Sequence, residues 1–318
     1  MMRKKNVPGM GRGSVHGVWR RATALLLALS LCLSMVSTTA WAATDTETVA
    51  SQEDAAVTEM AEETEAEPES ETETEIVQAE EVVWLNPFLE EALSETDLTA
   101  SSEDETSKAD AYADSEEAAA EELRAGLKAR QETVVVGYTA DSYEETAAES
   151  VAETALAHTG EAAEGDSLRL QLGGWRAAAS YYTEDEICYI TLTYTVTYLT
   201  TAAQEEEADA AVAEIAEELA LSEGSAYEKI SAIYGYLCAQ VTCVEREKAT
   251  ELLQYTAYAA LTEGTATDVG CAALTFRLAL AAGLDARVIA GTWDDGSGAE
   301  PVNHVWNLIG LDGGFIIM

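Results

Sequence analysis

Between Gly270 and Gly283 the sequence reads GCAALTFRLALAAG, apolar on almost every face of a helix. An amphipathic helix needs cover on one side, whereas one that is apolar all round must be enclosed by the rest of its domain. Its neighbours in the chain are suited to enclose it. DARVIAGTW, HVWNLIGL and FIIM follow as strand-like runs, the last two joined by a tight Asp-Gly-Gly turn. Upstream, Ser225-x-x-Glu228 opens a helix as a capping box. Ile230, Ile233, Tyr234, Leu237 and Val241 of that helix fall on one face.

Further upstream the periods are equally readable. AAAEELRAGLKAR predicts a helix, ETVVVGYT a strand, and YEETAAESVAETALAH a second helix. ICYITLTYTVTYLTT alternates as a half-buried strand does, and Thr201-x-x-Gln204 caps another helix. Helices first and antiparallel strands later predict an α+β fold with a central buried helix packed on antiparallel strands. Tyr234, Tyr255, Tyr258 and Trp306 are expected to be core residues rather than a substrate shelf.

The N-terminal third is of another kind. Residues 1–42 have the form of a secretory signal: Arg3, Lys4, Lys5, Arg12, Arg20 and Arg21, then ATALLLALSLCLSMV, then AWA at Ala40–Ala42. The apolar run is shorter than the roughly 20 residues a spanning helix needs. Cleavage is expected, leaving a secreted or cell-surface protein with no stable membrane insertion. Residues 43–117 form an acidic low-complexity spacer, typified by EMAEETEAEPESETETE, too poor in apolar residues to offset chain entropy and expected to be disordered. An apolar island, VVWLNPFLEEAL, interrupts it. The chain has 17 Lys and Arg against 59 Asp and Glu, a formal charge of −42, which excludes nucleic acid as a partner. Beyond the signal stand Cys188, Cys238, Cys243 and Cys271, whose pairing the sequence leaves open. None has zinc-site spacing or supporting histidines, and no cofactor or metal is expected.

The chemistry-bearing residues gather at the mouth of the buried helix. A helix N-terminus favours anions and lowers the pKa of a thiol placed there. Asp268 and Cys271 both sit near this end, and His304 lies in PVNHVWNLIGLDG with Trp306 and Asn307 behind it. His158 ends a polar helix and is expected to be solvated. Asp268 is also a residue type favoured as an N-cap.

SAYEKISAIYGYLCAQV, YTAYAALTEG, GCAALTFRLALAAGLDARVIAG and NHVWNLIGLDGGF resemble the successive blocks of the bacterial transglutaminase-like family. The resemblance implies a papain-like cysteine-protease fold over 191–318, with 118–190 leading into it. It also implies a cysteine nucleophile at the start of the central helix, a histidine at His304, and an aspartate on the next strand. The nucleophile position, four residues after Gly264 and fifteen before Gly283, is occupied by Asp268. Cys271 lies one helical turn further in, where the family usually has an aromatic residue. The family aspartate falls one position past Met318, so a C-terminally truncated domain is expected. These departures imply a catalytically inactive domain serving a binding or structural role, with a protein or peptide ligand. The alternative is a cysteine peptidase or cross-linking enzyme using Cys271 and His304.

Overall fold

Strict alternation over Ile187–Tyr198 (β5) buries Ile190, Leu192, Tyr194 and Val196 on one face of an antiparallel sheet. The computed structural model describes residues 75–318 apart from 90–91, 102–107, 295, 297, 299 and 312, all within one compact unit, Glu69–Met318. The signal segment, residues 43–74 of the acidic stretch and Asp312 of the expected turn lie outside the described residues.

On one side β5 pairs with Thr133–Ala140 (β3), and on the other with Leu172–Glu184 (β4). β4 in turn pairs with Val77–Gln78 (β1) and Val82–Leu85 (β2). Two helices, Glu116–Lys128 (α1) and Ala147–Ala155 (α2), complete this layer. Leu123, Leu127 and Val151 join Val136, Trp175, Ile190 and Tyr194 in its core.

β4 is the strand the sequence conceals. LGGWRAAASYYTE is rich in alanine and glycine, weak in intrinsic β preference, and it is held as a strand by partners on both edges. Gly174 has to be glycine, because a Cβ there would stand 2.4 Å from the Trp84 carbonyl oxygen of β2. The spacer expected over 43–117 is therefore folded in part. Its apolar island supplies β2, and its Phe88, Leu89 and Leu93 enter a second core. Apolar residues in an acidic stretch are few, but these have partners, and burial offsets the ordering of the chain. The boundary expected at residue 191 falls inside β5, whose partners all belong to the first sheet.

The second core surrounds Asp268–Ala281 (α7), the predicted all-apolar helix, in which Leu274, Leu278 and Ala279 are fully buried. After a short helical turn, Asp166–Arg169 (α3), the elements of this layer are Ala202–Glu218 (α4), Ala226–Gln240 (α5) and Ala257–Thr262 (α6). Both predicted capping boxes are formed, at Thr201 with Gln204 and at Ser225 with Glu228. Ile230 and Ile233 of α5 are buried, but Tyr234 is 58% exposed. The helical period puts Tyr234 beside Ile233, at the edge of the covered stripe and on the rim of a cleft. Tyr255 is buried as expected, while Tyr258 and Trp306 are half-buried. Opposite α7 stands an antiparallel sheet of Ala286–Trp293 (β8), Val302–Leu311 (β9) and Gly314–Ile317 (β10) in the order β10-β9-β8. Met318 extends the β10–β9 ladder by one step with a backbone pair to Asn307.

The layers are joined by polar contacts as well as apolar ones. The buried carboxylate of Asp166 on α3 accepts from Arg287 Nε at 2.7 Å and from the Val288 N–H at 2.9 Å, both on β8. Among the described residues, no helix is long and apolar enough to cross a membrane.

Candidate functional site

Two short segments set the site. Thr242–Cys243 (β6) runs parallel to Thr265–Ala266 (β7), directly before the mouth of α7. This pairing brings residues 242–248 alongside the first turn of the helix. Thr267 is the residue before the helix and Asp268 its first helical residue, so Asp268 is not the N-cap its residue type suggested. Its charge still complements the N-terminal dipole, and its side chain is free to reach sideways.

That side chain accepts three hydrogen bonds and has a histidine beside it. Arg246 Nε lies 2.8 Å from Oδ1 and Arg246 Nη2 2.9 Å from Oδ2, a bidentate pair. The Val305 N–H donates to Oδ2 at 3.0 Å, and His304 Nδ1 lies 3.0 Å from the same oxygen. The Arg246 and Asp268 side chains are only 9% and 11% exposed, so the pair is largely removed from water. The His304 side chain is 36% exposed, and its ring meets Trp306 edge-on at 4.7 Å. Asn307 is buried and donates from Nδ2 to the Ala272 carbonyl at 3.0 Å, fixing β9 against the start of α7.

Cys271 points elsewhere. Its Sγ lies 3.6 Å from Cys243 Sγ and 4.0 Å from the Ala266 carbonyl oxygen. Engagement of its proton by Cys243, reinforced by burial, holds the Cys271 thiol well above the ordinary range. For Cys243 the same contact acts in reverse and lowers the pKa to about 7, against the opposing effects of burial and of the Asp268 charge. A helix N-terminus alone would have lowered the pKa of Cys271; the neighbouring sulfur outweighs it. His158 is exposed and remote in sequence from these elements.

Two cavities meet at this point. One, of about 610 Å³, is lined by Cys243–Glu247, Asp268, Trp293 and Glu300–His304. The other, of about 280 Å³, is more apolar and is lined by Tyr234, Leu237, Cys238, Val241, Cys271 and Met318 among others. Asp268, His304 and Cys243 border both. Among the described residues, no cluster of three or more His, Cys, Asp or Glu side chains could hold a metal ion.

Arg246 and Cys243 are the site residues that sequence reading passed over. The signal for Arg246 was its rarity, as a cation in so acidic a chain. No local pattern marked Cys243.

The first turn of α7 is closely overlaid by the 250–256 segment. A Cβ on Gly270 would stand 2.7 Å from the Gln254 carbonyl oxygen, 2.8 Å from Ala266 Cβ and 2.9 Å from the Thr256 carbonyl oxygen. Two of these atoms are backbone and yield little. Gly270→Ala is therefore expected to destabilise the protein by about 1–3 kcal/mol, although alanine is the better helix former. An unchanged or raised midpoint in urea would refute the close overlay.

Residues 213–318 match the Transglutaminase-like superfamily. A search among curated proteins returned no match. A solved structure described as the crystal structure of a TGase is similar at 15% identity and a TM-score of 0.31, over 59% of this chain and 50% of that one. The chain thus spans half the length of that protein, and the likeness is too slight to inform the site. From helix α4 to its last residue, the chain carries a transglutaminase-like domain.

Proposed function

We propose that this chain is an exported bacterial protein whose transglutaminase-like domain is catalytically silent and whose cleft holds a protein or peptide segment at the cell surface. The observation that carries this reading is the engagement of Asp268. A carboxylate gripped by a bidentate arginine and a backbone N–H, with a histidine alongside, serves as an anchor. Carboxylate nucleophiles suit glycosyl and phosphoryl chemistry rather than acyl transfer from amides. His304, whose Nδ1 lies 3.0 Å from Asp268, is then part of a polar network at the cleft floor.

The binding role is supported by the wall of the larger cavity. Trp293 and Val302 are about half exposed, with Glu245, Glu247 and Glu300 around them. An apolar surface rimmed by carboxylates suits a peptide segment carrying both an apolar and a basic side chain. The alternative, an enzyme with Cys271 as nucleophile and His304 as base, finds less support. Cys271 is engaged with Cys243, and its thiol resists ionisation.

Turnover decides between them. The protein, incubated with a glutamine-containing peptide and a primary amine, is expected to release no ammonia and form no hydrolysed or cross-linked product above buffer. Product formation that is blocked by thiol alkylation and lost in His304→Ala would overturn the proposal.

A further inference from the structure

The segments 242–248 and 265–271 are joined at three levels. Their backbones pair between β6 and β7, Arg246 grips Asp268, and Cys243 meets Cys271 sulfur to sulfur at 3.6 Å. The last contact has no part in the binding reading. Cys188 is buried in the other core, and Cys238 is exposed on α5. Of the open pairings, only Cys243 with Cys271 brings two sulfurs into contact among the described residues.

We propose that Cys243 and Cys271 are a redox couple that closes to a disulfide by exchange with a small-molecule disulfide, fastening β6 to the first turn of α7. Cys243 is exposed at the junction of the two cavities, so an oxidant of glutathione size reaches it. Its thiolate attacks one sulfur of the oxidant, forming a mixed disulfide and expelling one thiolate, which takes a proton from solvent. Cys271 then loses its proton and attacks the Cys243 sulfur, and the second half of the oxidant leaves as a thiol. Two protein thiols are oxidised and one disulfide is reduced to two thiols. Closing the bond from 3.6 Å requires an approach of roughly 1.5 Å, which side-chain rotation and small backbone shifts can supply. The division of roles follows the environments: Cys243, with its pKa brought down to about 7, is the attacking group, and the half-buried Cys271 is the resolving one.

The test uses the full chain, reduced and then treated with oxidised glutathione, with disulfides located by peptide mapping. The expected product is a 243–271 link in wild type and in Cys238→Ser, absent in Cys243→Ser and Cys271→Ser. Oxidised wild type is expected to melt about 5–10 °C above the reduced form. In the reduced chain, iodoacetamide is expected to label Cys243 with a rate midpoint near pH 7, shifted upward in Cys271→Ala. A glutathione adduct persisting on Cys243 beside a free Cys271 would overturn the proposal. So would a link to Cys238, or a labelling midpoint indifferent to Cys271→Ala.

Discussion

Asp268→Ala is expected to cost the protein about 3–5 kcal/mol, read as a fall in the urea midpoint at constant slope. The loss comes from what the substitution leaves behind. Arg246 would retain a charge in a position only 9% exposed, and the Val305 N–H would lose its acceptor. An uncompensated buried charge costs more than the pair contributed. Arg246→Ala is expected to have an effect of similar size, stranding the carboxylate instead. The double variant is the informative one. With both charges gone the burden is removed, so Arg246→Ala/Asp268→Ala is expected to lose less than the sum of the two single changes by at least 1 kcal/mol. Additive effects would mean that the two side chains are solvated separately. Asp268→Cys, which restores a thiol at the helix mouth, carries the same burden because it also strands Arg246. Failure of that variant to turn over substrate is therefore informative only once its folding has been checked.

Leu274→Ala is expected to be the other large loss, roughly 2–5 kcal/mol, with a drop in Tm on the order of 10 °C. Leu274 is 0% exposed at the middle of α7, enclosed by the helices on one side and by β8 and β9 on the other. A helix covered on all sides cannot move toward one wall to fill a void without leaving another. The cost should thus lie in the upper part of the range. Leu280, half-buried near the far end of the same helix, provides the comparison, and its truncation to alanine is expected to cost less than half as much. Equal losses at the two positions would contradict the central placement of the helix.

Much of this layer was legible because its signals are local. An all-apolar helix, two capping boxes and a hairpin of alternating strands each declare themselves within a dozen or so residues. What the sequence hides depends on distant partners. β4 reads as alanine-rich and non-committal, and becomes a strand through β5 on one edge and β1 and β2 on the other. The island at 82–93 sits in an acidic context, and only its partner surfaces make it part of the fold. At the site, Asp268 and His304 could be singled out from their blocks, but the grip of Arg246 could not. It depends on a parallel pairing of two-residue strands, too short to have a period. Tyr234 failed for a related reason: periodicity gives the face of a helix but not how far its cover extends.

Asp166 has a bearing on how such a domain could pass from one protein to another. The family segment begins at residue 213, yet its strand β8 is anchored on a carboxylate from residue 166. Its core is also sealed by Phe88, Leu89, Leu93 and Leu170. A gene fragment cut at the family's border would leave those lids behind. Arg287 would lose its counter-ion, the Val288 N–H its acceptor, and the helix bundle part of its roof. What is recognisable by descent is thus smaller than what must travel together. Recombination that respects the first border and ignores the second would deliver an unfinished core.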